Sequence, residues 1–397
     1  MCLPDDLWFC IFDFACLEYE DNAQYPTLGQ SAHQIRKVCR RFNVLITDRL
    51  QGVMRYANPV LKTPEDLRRF LSPNIFGITP LNVCASGLTL EMGSLDYLLP
   101  AAKAFAGELD ERCRLDAAQY FNALTSYRGQ ASKNITMNLA NRCERDLEAL
   151  KPLSPLPITS LSIANCLGLR DISAAKVFRD LSALYISDAP SIRNLDFLKD
   201  MPKLETLHVI DCKGSFLYPK LNVRSLSLRF SGHPYLNGYQ NLTDLCLGEY
   251  GSAQVLNCPK LTTIKAEECA SLVIDNCPSL TALSAWDVGH LRVANCPDVK
   301  TFTLYSKGDF ELTNPQAVET LYWADEHYLG IERFSRLKDL TLSGLTLLSD
   351  LTFLSELPEL DRLCILQFDA LKNLAGVERC ANLRRLSVGH CESLQSL

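Results

Sequence analysis

An apolar pattern, L-x-x-L-x-L, recurs through the C-terminal part of the chain at only two step lengths. The pattern starts at Ile158, Leu181, Leu204, Val223, Leu242, Leu261, Leu280, Val299, Val318, Leu337, Leu360 and Leu383. The steps are 23 and 23, then seven of 19, then 23 and 23. A fixed period of this size means that one short unit is stacked repeatedly, each copy burying its apolar face on its neighbours. Within a unit, offsets 0, 3 and 5 are apolar, as in Leu261/Ile264/Ala266, Leu280/Leu283/Ala285 and Leu383/Leu386/Val388. The L-x-L step is strand alternation, with the intervening residue facing outward.

Nineteen residues leave no room for a helix on the far side of the coil. The short units instead carry a second alternating pair at offsets 11 and 13, Leu272/Ile274, Leu291/Val293 and Phe310/Leu312, which predicts a second strand there. The 23-residue units have room for a turn of 3₁₀ helix, as at Ile192/Leu195/Leu198. Cysteines keep the same phase. Cys166, Cys212, Cys269 and Cys391 stand at offset 8, and Cys258, Cys277 and Cys296 at offset 16 within Asn-Cys-Pro triplets. Stacking turns these into columns of buried thiols, with the triplet asparagines expected to bond free backbone groups of the turn. A metal ladder would need histidines or acids at matching offsets, which are absent, so no metal and no cofactor is expected.

Residues 156–397, about 12 coils, resemble the leucine-rich-repeat family through this phase rather than through leucine content. The resemblance implies a parallel β-solenoid that binds another protein on a concave sheet. Offsets 2, 4 and 6 face out of that sheet. The side chains expected to contact a partner are Tyr185, His208, Arg229, Lys265, Glu267, Trp286, Tyr305 and Tyr322. Most other outward positions are Ser, Thr, Ala or Gly, so aromatics at Trp286 and Tyr305, at one offset in adjacent coils, read as a binding hot spot. Aromatics also stabilise sheets without binding anything, and that reading stays open. Trp323, at offset 5, is assigned to the core.

The N-terminus follows another pattern. Leu3-Pro4-Asp5-Asp6-Leu7 is a helix start, with Pro at the first position and acids in the first turn. Ile35, Val38, Phe42 and Leu45 make a second helical stripe. The runs Leu3 to Phe12 and Val38-Cys39-Arg40-Arg41-Phe42-Asn43 resemble the two halves of an F-box, in the family's order but with a longer gap between them. The resemblance implies that residues 1–50 dock on a Skp-family adaptor of a cullin ubiquitin ligase. The adaptor would be held by Leu3, Pro4, Leu7, Ile11, Phe12 and Val38, and the protein substrate by the repeats. The alternative is a stand-alone repeat scaffold or effector whose N-terminus only caps the first coil.

Residues 51–155 read as helical, with helices opening at Thr63-Pro64 and spanning Ser94 to Ala106, Asp110 to Tyr127 and Ile135 to Leu150. The expected fold class is therefore α plus β-solenoid: a helical N-terminal region followed by a leucine-rich-repeat parallel β-solenoid.

A net charge of −6 carries no basic footprint for nucleic acid. No apolar run approaches the ~18 residues of a membrane span. Neither a secretion signal nor C-x-x-C pairs are found among the 17 cysteines, which suits a reducing cytoplasmic compartment, with nucleus and host cytosol left open. Phosphate-binding glycine loops and hydrolase motifs are missing and the six histidines are scattered, so binding rather than catalysis is expected.

Overall fold

The computed structural model describes residues 134–141, 145–212, 221–229, 233–305, 308–324, 330–345 and 351–395, together with the short strands Leu17–Glu18, Thr27–Leu28, Val60–Leu61 and Gly87–Leu90. The F-box-like residues Leu3, Pro4, Leu7, Ile11, Phe12 and Val38, and the helices expected between 63 and 127, lie outside the described residues. The chain divides into two compact units. One comprises residues 1–140, 147–162 and 177–181, and the other 141–146, 163–176 and 182–397.

In the first unit, Val60–Leu61, Gly87–Leu90 and Asn134–Ala140 pair in parallel, Val60 opposite Thr89 and Leu88 opposite Ile135. Asn134–Ala140 corrects the helix expected from Ile135 to Leu150. Ile135, Met137 and Leu139 alternate inward and are buried, and among the described residues of that stretch helix begins only at Glu148–Leu153, as a 3₁₀ turn.

The second unit is a stack of coils. Among the described residues, eleven five-residue strands from Ala183–Ser187 to Arg385–Gly389 pair in parallel, each with the strand of the next coil. Register follows the sequence period: Ile264 faces Leu283, 19 residues on, and Leu340 faces Leu363, 23 residues on. Identical phase is what parallel stacking demands, because a one-residue slip would turn every inward leucine to solvent. Offsets 3 and 5 are inward and buried, as in Leu207/Val209, Leu283/Ala285 and Phe302/Leu304, up to the coil of Leu363/Ile365, whereas in the last coil Leu386 is 43% exposed and Val388 half-buried. Trp323 is fully buried as expected, packed near the edge of the Phe310 ring.

On the opposite side the short coils form a second parallel sheet: Tyr235–Asn237, Ser252–Leu256, Ser271–Asp275, His290–Ala294 and Asp309–Leu312. The long coils carry 3₁₀ turns there instead, at Ser173–Val177, Asp196–Asp200, Thr352–Glu356 and Val377–Arg379. The 19-residue coil opened by Val318 departs from the short coils before it with a 3₁₀ turn at Ile331–Arg333.

Left-handed residues make the corner after most broad-sheet strands, and the corner after the narrow-sheet strand in four of the short coils. After the broad-sheet strand the column is Asn141, Asn165, Asp188, Asp211, Glu249, Glu268, Asp287, Gly344, Gln367 and His390. After the narrow-sheet strand it is Gly238, Asn257, Asn276 and Asn295. Asn, Asp and Gly tolerate this region best, which explains the column's composition. The turned residue's N–H reaches the next coil, as in Glu268 N–H to the Trp286 carbonyl at 2.8 Å. The triplet asparagines, expected to bond free backbone groups of the turn, instead donate through their side-chain amides to side chains of the preceding coil. Asn276 Nδ2 donates to Asn257 Oδ1 at 2.7 Å, Asn257 Nδ2 to Asn237 Oδ1 at 2.9 Å and Asn295 Nδ2 to Asp275 Oδ1 at 2.7 Å.

Candidate functional site: the outward face of the broad sheet

The outward residues form rows across the stack. Offset 4 gives Tyr185, His208, Ser227, Cys246, Lys265, Ser284, Thr303, Tyr322 and Thr341. Offset 6 gives Arg229, Gly248, Glu267, Trp286, Tyr305 and Ala324 in consecutive coils. All eight residues expected on this face stand on it.

The structure brings three of them together. Trp286 and Tyr305, cross-strand neighbours, stack with ring centroids 5.4 Å apart, and Trp286 stacks on Tyr322 at 6.3 Å. Ser284 Oγ accepts a hydrogen bond from the indole Nε1–H at 2.9 Å and fixes the ring's direction across the sheet. This layout works because the intervening positions, Ser284 and Thr303, are small. Trp286 remains 42% exposed and Tyr305 50%, high for rings already packed on each other. A large aromatic surface left open on a sheet is costly in water and is the usual anchor of a protein interface.

The other expected residues form separate groups. Tyr185 and His208 meet edge to face at 4.8 Å, and burial alone pulls the His208 pKa below its ordinary value. Arg229 crosses over Gly248 and donates through Nε to Glu249 Oε1 at 2.7 Å, with a second, shorter bond from its Nη2. Gly248 leaves room for this crossing, since a Cβ there would sit 3.2 Å from Arg229 Cγ. This partner, Glu249, was missed by sequence reasoning because it belongs to the turn column rather than to a strand. Glu268 and Asp287 occupy the same column directly beside Glu267, Trp286 and Tyr305. Asp211 precedes them in that column. Burial, then the charge of Asp188, raises its carboxyl pKa, while Arg229 opposes the shift.

The thiol columns lie inside the coils except at Cys391, expected to be buried with them and only half-buried in the last coil. Cys258, Cys277 and Cys296 are buried, and each thiol reaches back to a carbonyl two residues earlier, as in Cys296 to Ala294 at 3.2 Å. The left-handed asparagine between thiol and carbonyl folds the sulfur back over that oxygen. Neighbouring thiols on both sides and burial push the Cys277 thiol far up, and burial lifts Cys212 to about 11. Such thiols are poor nucleophiles. Among the described residues no cluster of three or more His, Cys, Asp or Glu side chains could hold a metal ion.

These features define the second unit as a parallel β-solenoid of 19- and 23-residue coils with an open aromatic patch on its broad sheet. No known family model matches the chain, and no curated protein matches it. Among solved structures it is similar to an internalin from Listeria monocytogenes, at 13% identity and TM-score 0.38 over 75% of this chain and 93% of that one. It is also similar to a leucine-rich-repeat protein of Leptospira interrogans, at 11% identity and TM-score 0.42 over 86% of this chain and 100% of that one. A third similarity is to a chain of the Drosophila Toll–Spatzle complex, at 12% identity and TM-score 0.43 over 77% of this chain and 40% of that one.

Proposed function

We propose that the broad sheet binds a protein through the patch of Trp286, Tyr305 and Tyr322, and that the chain is the substrate-recognition subunit of a Skp/cullin-type ubiquitin ligase. The observation that carries the binding reading is the exposure of stacked aromatics on an open sheet face, with the small residues Ser284 and Thr303 between them. Repeat solenoids present extended surfaces of this kind to their partners. The chain acts by binding rather than by catalysis, and the free thiols of its columns suit a reducing compartment. The ligase role rests on the F-box-like runs at Leu3 to Phe12 and Val38 to Asn43.

Purified Skp-family adaptor, tested for capture by the full chain and by a Leu3→Ala/Pro4→Ala variant, checks the ligase role. Capture by the wild type and its loss in the variant supports a ligase receptor. A folded wild type that captures no adaptor overturns that role and leaves a stand-alone repeat scaffold.

A further inference from the structure

We infer that the aromatic patch recognises an arginine side chain of its protein partner, laid on the Trp286 indole and paired with the carboxylate of Glu267. The inference rests on the reading of this face as the binding face, and adds the chemistry of what it binds.

The patch is not electrically neutral. Glu267 is the cross-strand neighbour of Trp286 on one side, and Tyr305 is its neighbour on the other. In-register strand residues lie about 4.8 Å apart, so the Glu267 carboxylate and the indole rise side by side from the sheet. Glu268 and Asp287 stand at the adjoining corner, their turns locked by backbone bonds to the carbonyls of Trp286 and Tyr305. Three acidic residues therefore stand at or next to the strand positions that carry the rings, whereas Lys265 is the one cation on the three strands that carry Glu267, Trp286 and Tyr305. Glu249, the preceding acid of the column, is already engaged by Arg229 and adds nothing.

A cation over an indole face is attracted by the ring quadrupole, and arginine is the cation that both stacks on a ring and offers a forked set of donors to a carboxylate. An aromatic patch without neighbouring acids would favour an apolar partner. Acids without the rings would be an ordinary solvated margin. Their adjacency, with the indole held in place by Ser284, is complementary to a planar cation.

The probe is the peptide Ac-Ser-Gly-Arg-Gly-Ser-amide, with a citrulline analogue as its neutral isostere. The readout is the indole N–H resonances of the full chain. It has three tryptophans, Trp8, Trp286 and Trp323, and a Trp286→Phe variant assigns the relevant peak. The expected result is a saturable shift of the Trp286 peak by the arginine peptide. About tenfold weaker binding is expected for citrulline, from the cation–ring and ion-pair contributions together, and about threefold weaker binding of the arginine peptide on Glu267→Gln, which removes only the ion pair. Glu267 is exposed, so that variant keeps the fold. Equal binding of both peptides overturns the inference while leaving an apolar binding face intact. No saturable shift with either peptide overturns it as well, and the binding face is then judged separately by adaptor-independent crosslinking to the natural partner.

Discussion

Replacing Leu283 by alanine probes the stack where it is most tightly determined. Leu283 is 1% exposed, and its row neighbours Ile264 and Phe302 in the coils on either side are 0% exposed. Alanine removes three carbons, about 2.4 kcal/mol at ~0.8 kcal/mol per buried CH₂. The vacated space lies between two side chains held by parallel strands in fixed register, so little collapse is available. A cavity contribution then raises the total to about 3–4 kcal/mol, within the ~2–5 kcal/mol range of such truncations. The adjacent Ser284→Ala substitution faces outward and removes only one solvent-accessible hydrogen bond, so it costs about 0.5 kcal/mol or less. Urea unfolding of both variants, followed by far-ultraviolet circular dichroism, measures the contrast. A loss under about 1 kcal/mol for Leu283→Ala, or equal losses for the two variants, would refute the inward–outward assignment.

Other consequences follow from the corners and the thiols. Asn276→Ala keeps a left-handed backbone without the side chain that tolerates it and drops the bond to Asn257, for a loss of about 1–2 kcal/mol by the same unfolding assay. Asp211→Asn is expected to stabilise the chain near neutral pH. The folded pKa of Asp211 is raised, so wild-type stability is full below the ordinary carboxylate range and falls as pH rises through the raised value. Thermal unfolding at several pH values should therefore show the variant's advantage at neutral pH and its disappearance in acid, and a constant difference would contradict the cause given. Thiol labelling mapped by mass spectrometry should modify the half-buried Cys246 and Cys364 before Cys258, Cys277 and Cys296, and early labelling of the triplet cysteines would contradict their burial.

The repeats were legible because stacking leaves one answer to a fixed phase. Positions such as Ile264 cannot drift, so offsets 3 and 5 show in the sequence as plainly as in the structure, for example Ile264/Ala266 and Leu283/Ala285. The strand Asn134–Ala140 escaped the reading for a physical reason. Leu139, Cys143, Leu147 and Leu150 follow one another at helical spacing, which masked the shorter alternation of Ile135, Met137 and Leu139. In the candidate site, the aromatics were readable from their shared offset. The acids Glu249, Glu268 and Asp287 were not, because in sequence they resemble any solvated carboxylate. A signal was present all the same: Asn165, Asp188 and Asp211 hold the same offset in earlier coils, and such residues at a recurring position mark a left-handed corner.

The measurement that tests the binding account most directly is site-specific photocrosslinking in cells of the protein's source. A benzophenone side chain replaces Tyr305 on the broad sheet or, as a control, the exposed Glu311 on the opposite sheet. The account predicts a discrete crosslinked protein from position 305 that disappears when Trp286→Ala is added, and none from position 311. A partner captured from position 311 alone, or one from 305 that is indifferent to Trp286, would contradict it.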